Sequence, residues 1–388
     1  MESTKAKENQ FSVAQARDIV RDLFEAQPTI YWLDFLCSLT VGYAAASIYL
    51  TAPWFSVTQI AAYLVAGFAL FRVGSFIHEI VHFPGQHMRG FKIAWNLLAG
   101  IPMLMPSFFY LNHIDHHSPK HYGTGQDGEY LPLGNGPLRD VLYFFLQVLV
   151  LPLAMFTRFA IVTPISFLSP AVRTWALERF SSYVINLKYR QQIPASASRT
   201  WWAAMEAACC LRAWMIPLGV AMGISSWDRI PALYLLAVLT LGLNYIRNMV
   251  AHRYESDGQP MSPVGQLSDS INFDGTPIVT ELFFPLYLRY HALHHLLPTL
   301  PYHNLKKAHQ RLIDQLPAGS PYHQALYPGF WSLMRDVWSH AVAASRDPNQ
   351  RRKADQWYQR REAMLQQFGS PQTRSDAAPE PPSVRQVA

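Results

Sequence analysis

The chain has 388 residues and a formal net charge of +6; half of its residues are hydrophobic and only 15% are charged. The apolar residues form long runs, which indicates an integral membrane protein rather than two or three soluble domains. The basic residues lie mainly in loops and tails, as on cytoplasmic membrane faces, so the charge does not indicate nucleic-acid binding. The three cysteines (Cys37, Cys209 and Cys210) form no Cys-x-x-Cys pair, so we expect no structural disulfide, iron–sulfur cluster or cysteine zinc site.

The first half of the chain contains two clear candidates for membrane-spanning helices. A helix that crosses a bilayer needs about 20 mostly apolar residues, and residues 30–50 and 57–77 meet this requirement. The next uncharged run, 93–111, contains Pro102 and Pro106. One histidine cluster (His78 and His82) precedes this run and another (His113, His116 and His117) follows it. If the clusters meet at one site they must lie on one side of the membrane, so we expect the run to lie at the membrane interface or to be re-entrant.

Two arrangements of the later apolar runs are open. Residues 170–200 hold five basic residues and one acidic residue, and the positive-inside rule places such a segment in the cytosol. This favours 203–224 and 230–250 as the third and fourth spans, with 141–168 lying along the membrane. The reverse, in which 141–168 crosses and 203–224 does not, would place the basic segment outside. Both arrangements give four spans and cytosolic ends.

Three dense histidine clusters are the main indication of function. Histidines four residues apart lie on one face of a helix, whereas adjacent ones diverge by roughly 100° and can serve different metals. Eight imidazoles exceed the four ligands that one zinc ion takes, so two metal ions sharing the clusters is the simplest interpretation, and imidazole suits iron, zinc or copper. The clusters read His78-x-x-x-His82, His113-x-x-His116-His117 and His291-x-x-His294-His295.

These motifs, in this order, resemble those of the membrane fatty acid desaturase family, which bind a non-haem di-iron centre at the cytosolic membrane face. The resemblance covers roughly residues 30–315. It extends to Asn248-x-x-x-His252, which is similar to the stearoyl-CoA desaturase branch, where the histidine is a ninth ligand and the asparagine reaches iron through water. The resemblance implies Asn248 as a cofactor-binding residue and, as ligands of two iron ions, His78, His82, His113, His116, His117, His252, His291, His294 and His295. Which histidine binds which iron stays open.

The resemblance implies oxygen-dependent desaturation of a fatty acyl chain, with dioxygen as co-substrate. The third motif opens with His291 rather than the glutamine of front-end desaturases, and the chain lacks a fused cytochrome b5 signature. We therefore expect electrons from a separate donor of the ferredoxin or cytochrome b5 type. Basic residues at 170–200 or 306–311 are candidates for docking an acidic donor, or they face anionic lipid headgroups.

Other functions stay open, some with the same di-iron chemistry and some without it. A hydroxylase or ketolase acting on an acyl lipid, an alkane or a carotenoid would share the motifs and differ only in substrate placement. A membrane metal transporter is less favoured, because its polar residues should recur in the middle of the spans. A zinc hydrolase should bind a single zinc ion and work without oxygen.

The sequence therefore predicts an all-α integral membrane protein with about four transmembrane helices and a cytosolic helical cap that carries the three histidine motifs. We divide it into a cytosolic N-terminal segment (1–29), a desaturase-like membrane and catalytic domain (30–345) and a polar C-terminal tail (346–388). In that tail a helix is expected at 349–367 and disorder over the last 20 residues. The expected location is a bacterial inner membrane with the site on the cytosolic face; the endoplasmic reticulum is the alternative.

Three further sets of residues are candidates for supporting roles. Acidic residues in and near the motifs are candidates for orienting the imidazoles: Glu79, Asp115, Asp127, Glu129, Asp269 and Asp274. Four aromatic residues could line an acyl tunnel or simply pack in the core: Trp95, Phe108, Phe109 and Tyr110. The Gly-x-Gly-x-x-Gly at 123–128 lacks the strand and helix that a Rossmann turn requires, so we expect no nicotinamide site there.

Overall fold

The computed structural model describes residues 11–275 and 277–368, which form a helical protein. In chain order the helices are α1 (Val13–Ile19), α2 (Pro28–Thr51), α3 (Val57–His82), α4 (Arg89–Trp95), α5 (Asn112–His117), α6 (Leu138–Thr157), α7 (Thr163–Leu168), α8 (Pro170–Arg179), α9 (Arg199–Ala221), α10 (Arg229–Met249), α11 (Pro263–Asp269), α12 (Pro277–Phe283), α13 (His291–Leu296), α14 (Tyr302–Gln315), α15 (Pro321–Gln324), α16 (Phe330–Arg346) and α17 (Pro348–Phe368). Short 3₁₀ or π turns lie at Arg21–Leu23, Asn96–Gly100, Ser107–Tyr110 and Arg158–Val162. Two strands, β1 (Asn272–Phe273) and β2 (Leu326–Tyr327), pair in parallel, with Asn272 opposite Leu326.

Five helical stretches are long and apolar enough to cross a membrane: α2, α3, α9, α10 and the continuous run Leu138–Leu168 formed by α6, the π turn and α7. This confirms the predicted all-α membrane fold. The fifth is the 141–168 segment, which we had expected to lie along the membrane and which qualifies as a span by length and composition. Helices α3 and α10 approach closely at Gly67, where an added Cβ would lie 2.2 Å from Leu239 Cδ2, so a larger side chain there would force the Leu239 side chain to move.

The apolar run 93–111 folds back on itself and does not form one long helix. Helix α4 passes into the π turn, and after the bend around Pro102 and Pro106 the chain resumes as a 3₁₀ turn. Asn96 joins the two arms, because its side-chain oxygen accepts from the Ser107 amide (2.9 Å) and its amide donates to the Ser107 hydroxyl (2.9 Å). This shape agrees with the expected re-entrant or interfacial segment.

The polar C-terminal segment contributes to the folded body. Helix α17 matches the helix expected at 349–367 and packs against the loop that follows α5. Its buried Trp357 donates from Nε1 to the Gly123 carbonyl (2.8 Å), and Tyr358 donates to Asp140 (2.8 Å). The predicted disorder at the chain end falls on 369–388, outside the described residues.

A buried ionic cluster joins α9 to the chain between α6 and α8. Arg158 and Glu206 are fully buried and form an ion pair, and Arg173 reaches the other Glu206 oxygen at 2.5 Å. Arg158 and Glu206 are charged residues within the otherwise apolar runs 141–168 and 203–224. The fold neutralises them against each other, as ionisable groups in apolar surroundings require.

We predict that Glu206→Ala lowers the free energy of unfolding by about 3–5 kcal/mol, because it leaves the Arg158 charge buried without its partner. Thermal unfolding of the purified protein in detergent would show this as a lower midpoint. The matched control is Glu178→Ala, whose partner Arg190 lies at 3.1 Å in a partly exposed pair and should contribute less than about 1 kcal/mol. Equal shifts for the two variants would contradict this account.

Candidate metal centre

Four separate parts of the chain deliver histidines to one buried region. Helix α3 ends with His78 and His82, and α5 and α13 each carry one of the other two motifs. His252 follows the end of α10 and is held by an isolated bridge to Ser270. Most of these side chains are buried, and His82 and His117 are partly exposed.

The structure brings all nine predicted ligands together in two groups. Within each group, one nitrogen from each residue lies within 4.8 Å of the others. Neighbours in sequence separate as the helical spacing predicts: His116 and His117 join different groups, and so do His294 and His295. The first group is His78, His82, His113, His117 and His294, and the second is His116, His252, His291 and His295.

Within the groups, the Nε2 atoms face one another at short distances. In the second group, His252 Nε2 lies 3.2 Å from His116 Nε2 and 2.9 Å from His291 Nε2. In the first, His117 Nε2 lies 3.0 Å from the Nε2 atoms of His113 and His294. A metal bound at about 2.0–2.1 Å holds neighbouring ligand nitrogens about 3 Å apart, so these separations fit one ion per group.

Hydrogen bonds on the far sides of the rings fix which nitrogen faces inward. The Asp127 carboxylate accepts from His116 Nδ1 at 2.9 Å. Tyr122 donates its hydroxyl hydrogen to Asp269 (2.8 Å), so the same oxygen accepts from His252 Nδ1 (2.9 Å). Both rings then carry their hydrogen on Nδ1 and turn lone pairs toward each other at Nε2. Such an arrangement repels itself unless a cation lies between the nitrogens.

Several buried imidazole nitrogens have no hydrogen-bond partner among the described residues. They include both ring nitrogens of His78 and Nε2 of His82. A buried polar atom without a partner is unfavourable by about 1–3 kcal/mol, and a bound metal removes that penalty. The donor set therefore fits a pair of metal ions.

The electrostatics favour neutral imidazoles, the form that binds metals. Burial, followed by the charges of neighbouring histidines, lowers the pKa of His113, His117 and His294 well below the usual value. The pKa values of His252 and His291 are lowered in the same way, by burial, by neighbouring histidines and also by the Arg247 charge. At His116 burial acts in the same way, but the Asp127 carboxylate outweighs it and raises the pKa.

Three of the six acidic candidates support histidines in the groups. Asp127 binds His116 directly, and Asp269 reaches His252 through Tyr122. Glu129 accepts from His113 Nδ1 (2.9 Å) and from Asn112 (3.0 Å), and burial raises its pKa to about 7.

The other three acids have different neighbours. Glu79 lies 4.0 Å from His78 Nδ1 and accepts hydrogen bonds from the Tyr31 hydroxyl and the Tyr302 amide. Asp115 accepts from His121 and Tyr189. Asp274 is exposed.

Three of the four aromatic candidates pack in the protein core. Trp95 donates to the Val73 carbonyl, Phe108 stacks on Trp202, and Phe109 stacks on Phe159. Tyr110 is the exception: it stacks on the His113 ring at 4.7 Å and donates to Glu129. These contacts show that the first three side chains pack in the core, and they do not support an acyl tunnel lined by them.

Gly123–Gly128 shapes the loop that presents Asp127. Gly123 adopts a φ of +70°, and its amide donates to the Asp127 carboxylate (3.0 Å). Positive φ favours glycine, so this glycine serves the carboxylate that orients His116. No strand leads into this loop, in agreement with the absence of a Rossmann turn expected from the sequence.

Two residues at the centre were not predicted from the sequence. Tyr122 has no signal except its place five residues after His117. Arg247 precedes Asn248 at the end of α10, is 5% exposed, and donates from Nη2 to the Asn248 side-chain oxygen at 2.6 Å. A charged residue closing an apolar span was the signal for Arg247. The predicted role of Asn248, reaching iron through water, stays a prediction.

Comparisons with known proteins show the family of this chain. The sequence model of the fatty acid desaturase family matches residues 52–327. The chain is also 36% identical, over 325 residues, to a ceramide hydroxylase of Caulobacter vibrioides (strain NA1000 / CB15N), and the alignment covers 83% of this chain and 92% of that relative. The family inferred from the histidine motifs is thereby confirmed: this chain belongs to the fatty acid desaturase family.

Proposed function

We propose that this protein is a membrane-bound, non-haem di-iron oxidoreductase that uses dioxygen to hydroxylate the hydrocarbon of a ceramide-like lipid. The observation that carries the proposal is the pair of histidine groups with converging, unpartnered nitrogens. The extent of the match to the ceramide hydroxylase supports the substrate class and the hydroxyl product. Desaturation of an acyl chain, the reaction that the family is named after, is the second candidate.

In this proposal each histidine group holds one iron ion. All-imidazole donor sets suit iron, and the family uses a di-iron pair. The bound irons, once reduced, supply the activation of dioxygen. A zinc hydrolase is disfavoured because two groups with nine nitrogen donors exceed what one zinc ion needs. A transporter is disfavoured because the histidines gather at helix ends in one buried centre, not along the spans.

The two candidate reactions consume the same reagents. Hydroxylation takes one C–H bond, dioxygen, two electrons and two protons, and gives one C–OH bond and one water. Desaturation takes two adjacent C–H bonds with the same dioxygen, electrons and protons, and gives a double bond and two waters. Both need a separate electron donor, for which we propose a ferredoxin or a cytochrome b5.

The chain's own residues prepare the site for this chemistry. Asp127, Glu129 and the Tyr122–Asp269 pair fix the tautomers and directions of three imidazoles, as carboxylate partners of metal-bound histidines do. Burial excludes water, which protects reactive intermediates from side reactions. We further propose that the centre faces the cytosol at a bacterial inner membrane. The basic 170–200 segment and the bacterial source of the relative support this location over the endoplasmic reticulum.

We predict that His294→Ala abolishes lipid oxidation and lowers bound iron, because one group loses a ligand. Iron per chain is measured by mass spectrometry of the purified protein, alongside membrane retention. His340→Ala is the control, since His340 is exposed on α16, and it should keep both iron and activity. Full activity in His294→Ala, or its loss in His340→Ala without unfolding, would show that the ligand set is wrong.

A second test addresses the acids that orient the imidazoles. Asp127→Asn should weaken iron binding about 10- to 100-fold, because the amide no longer fixes the His116 tautomer as a carboxylate does. Asp274→Asn, at an exposed acid, should leave iron binding unchanged. Competition with a chelator measures both, and equal retention of iron would argue against the role of Asp127.

Lipid profiling decides between the two candidate reactions. Total lipids from an aerobic host that expresses the protein and is supplied with a ceramide are compared with those from the His294→Ala strain. Ceramide species heavier by one oxygen, absent from the variant strain, are the expected result. Species lighter by two hydrogens would replace hydroxylation with desaturation.

A further inference from the structure

The protein contains a buried positive charge beside the histidine groups that the proposed metal site does not use. Arg158, Arg247 and Arg289 are the buried arginines among the described residues. Arg158 forms an ion pair with the Glu206 carboxylate. Arg289 lies 3.7 Å from a Glu281 carboxylate oxygen and donates to two backbone carbonyls. Arg247 forms no ion pair with a carboxylate in the part of the chain that the structure describes.

The partners of Arg247 are neutral amides. Its Nε donates to the Asn244 side-chain oxygen at 3.2 Å and its Nη2 to that of Asn248 at 2.6 Å. Positions 244, 247 and 248 share one face of α10, and we call these three residues the polar anchor. A guanidinium has five N–H donors and no acceptor, so two amide oxygens leave it with donors to spare.

The polar anchor lies close to the histidine groups. Arg247 is in the last turn of α10, five residues before His252, and α10 packs against α3, which ends with His78 and His82. Tyr110, which stacks on His113, lies close to the Arg247 guanidinium. The Arg247 charge also contributes to lowering the pKa of His252 and of His291.

Placing a buried cation against plain hydrocarbon is strongly unfavourable, because the charge then has no polar partner. Carbonyl and hydroxyl oxygens stabilise it, because a guanidinium donates hydrogen bonds to them through its fork of N–H groups. The histidine groups lie at the ends of α3 and α10, the level at which the polar linkage of a membrane lipid meets its chains. The first carbons of those chains therefore pass closest to the site.

We propose that Arg247, oriented by Asn244 and Asn248, binds the amide and hydroxyl oxygens of the lipid substrate and so selects a carbon close to its polar end for oxidation. This inference rests on the proposed function and adds the position of the reaction. Arg247 is a positioning residue: it fixes the substrate relative to the irons and exchanges no electrons or protons with it.

The test uses the full-length protein and N-hexadecanoyl dihydrosphingosine as the probe. Fragmentation of the oxidised lipid from host cells locates the new oxygen, which we expect on one of the first few carbons beside the amide. Arg247→Gln should keep its iron, bind the probe about ten- to hundredfold more weakly, and spread the oxygen over several positions. Arg247→Lys should recover part of the affinity, and Arg229→Gln, at the other end of α10, should behave like the wild type.

Binding is measured on purified, anaerobic protein by tryptophan fluorescence, so it does not depend on turnover. Oxidation in the middle of the chain by the wild type would overturn the inference. Unchanged affinity and position in Arg247→Gln would also overturn it, and so would loss of iron in that variant, which would make Arg247 a support of the histidines. If the wild type oxidises no ceramide, the proposed function fails, and equal binding by wild type and Arg247→Gln would then refute the anchor separately.

Discussion

The convergence of histidine lone pairs is the constraint on which the rest of this structure depends. The Nε2 atoms of His116 and His252 lie 3.2 Å apart, and because both rings carry their hydrogen on Nδ1, their lone pairs repel each other unless a cation joins them. Their positions are imposed from outside, because Asp127 and the Tyr122–Asp269 pair hold the opposite ring nitrogens. In the proposed di-iron protein, metal binding relieves this repulsion and thereby couples the stability of the surrounding helices and loops to the metal ions.

This dependence explains why residues far from the histidines in sequence matter at the centre. Asp127 sits in a loop whose turn uses Gly123, and Trp357 of α17 binds the carbonyl of that same glycine. A contact made by the C-terminal helix thus supports the loop that orients His116. Asp269 comes from the end of α11 and serves both Tyr122 and Tyr130. The geometry of the centre consequently depends on the loops and helices around it and not on the three motifs alone.

The sequence predicted what depends on spacing and on composition. Membrane-length apolar runs, the helical positions of the motifs and the division of His116 from His117 all follow from period and hydropathy. It could not predict partners that only tertiary packing brings together. Tyr122 connects His252 to Asp269 through hydrogen bonds, and Glu206 forms the ion pair with Arg158. The sequence also could not decide whether residues 141–168 cross the membrane. A charged Arg158 argues against a membrane-spanning helix until its buried partner, Glu206 on α9, is known.

The buried arginines show that the same residue type can serve opposite purposes in one membrane protein. Arg158 is paired with a carboxylate, so its charge is cancelled within the fold and it joins helices. Arg247 donates to two side-chain amides and forms no ion pair with a carboxylate among the described residues, so in our proposal its charge serves to bind the polar end of the lipid. A protein that needed only to pack α10 against α3 would gain from an apolar residue at 247, since burying an unpaired guanidinium is unfavourable. The arginine is consistent instead with a task at the site, and the polar end of the substrate is the group that its donors suit.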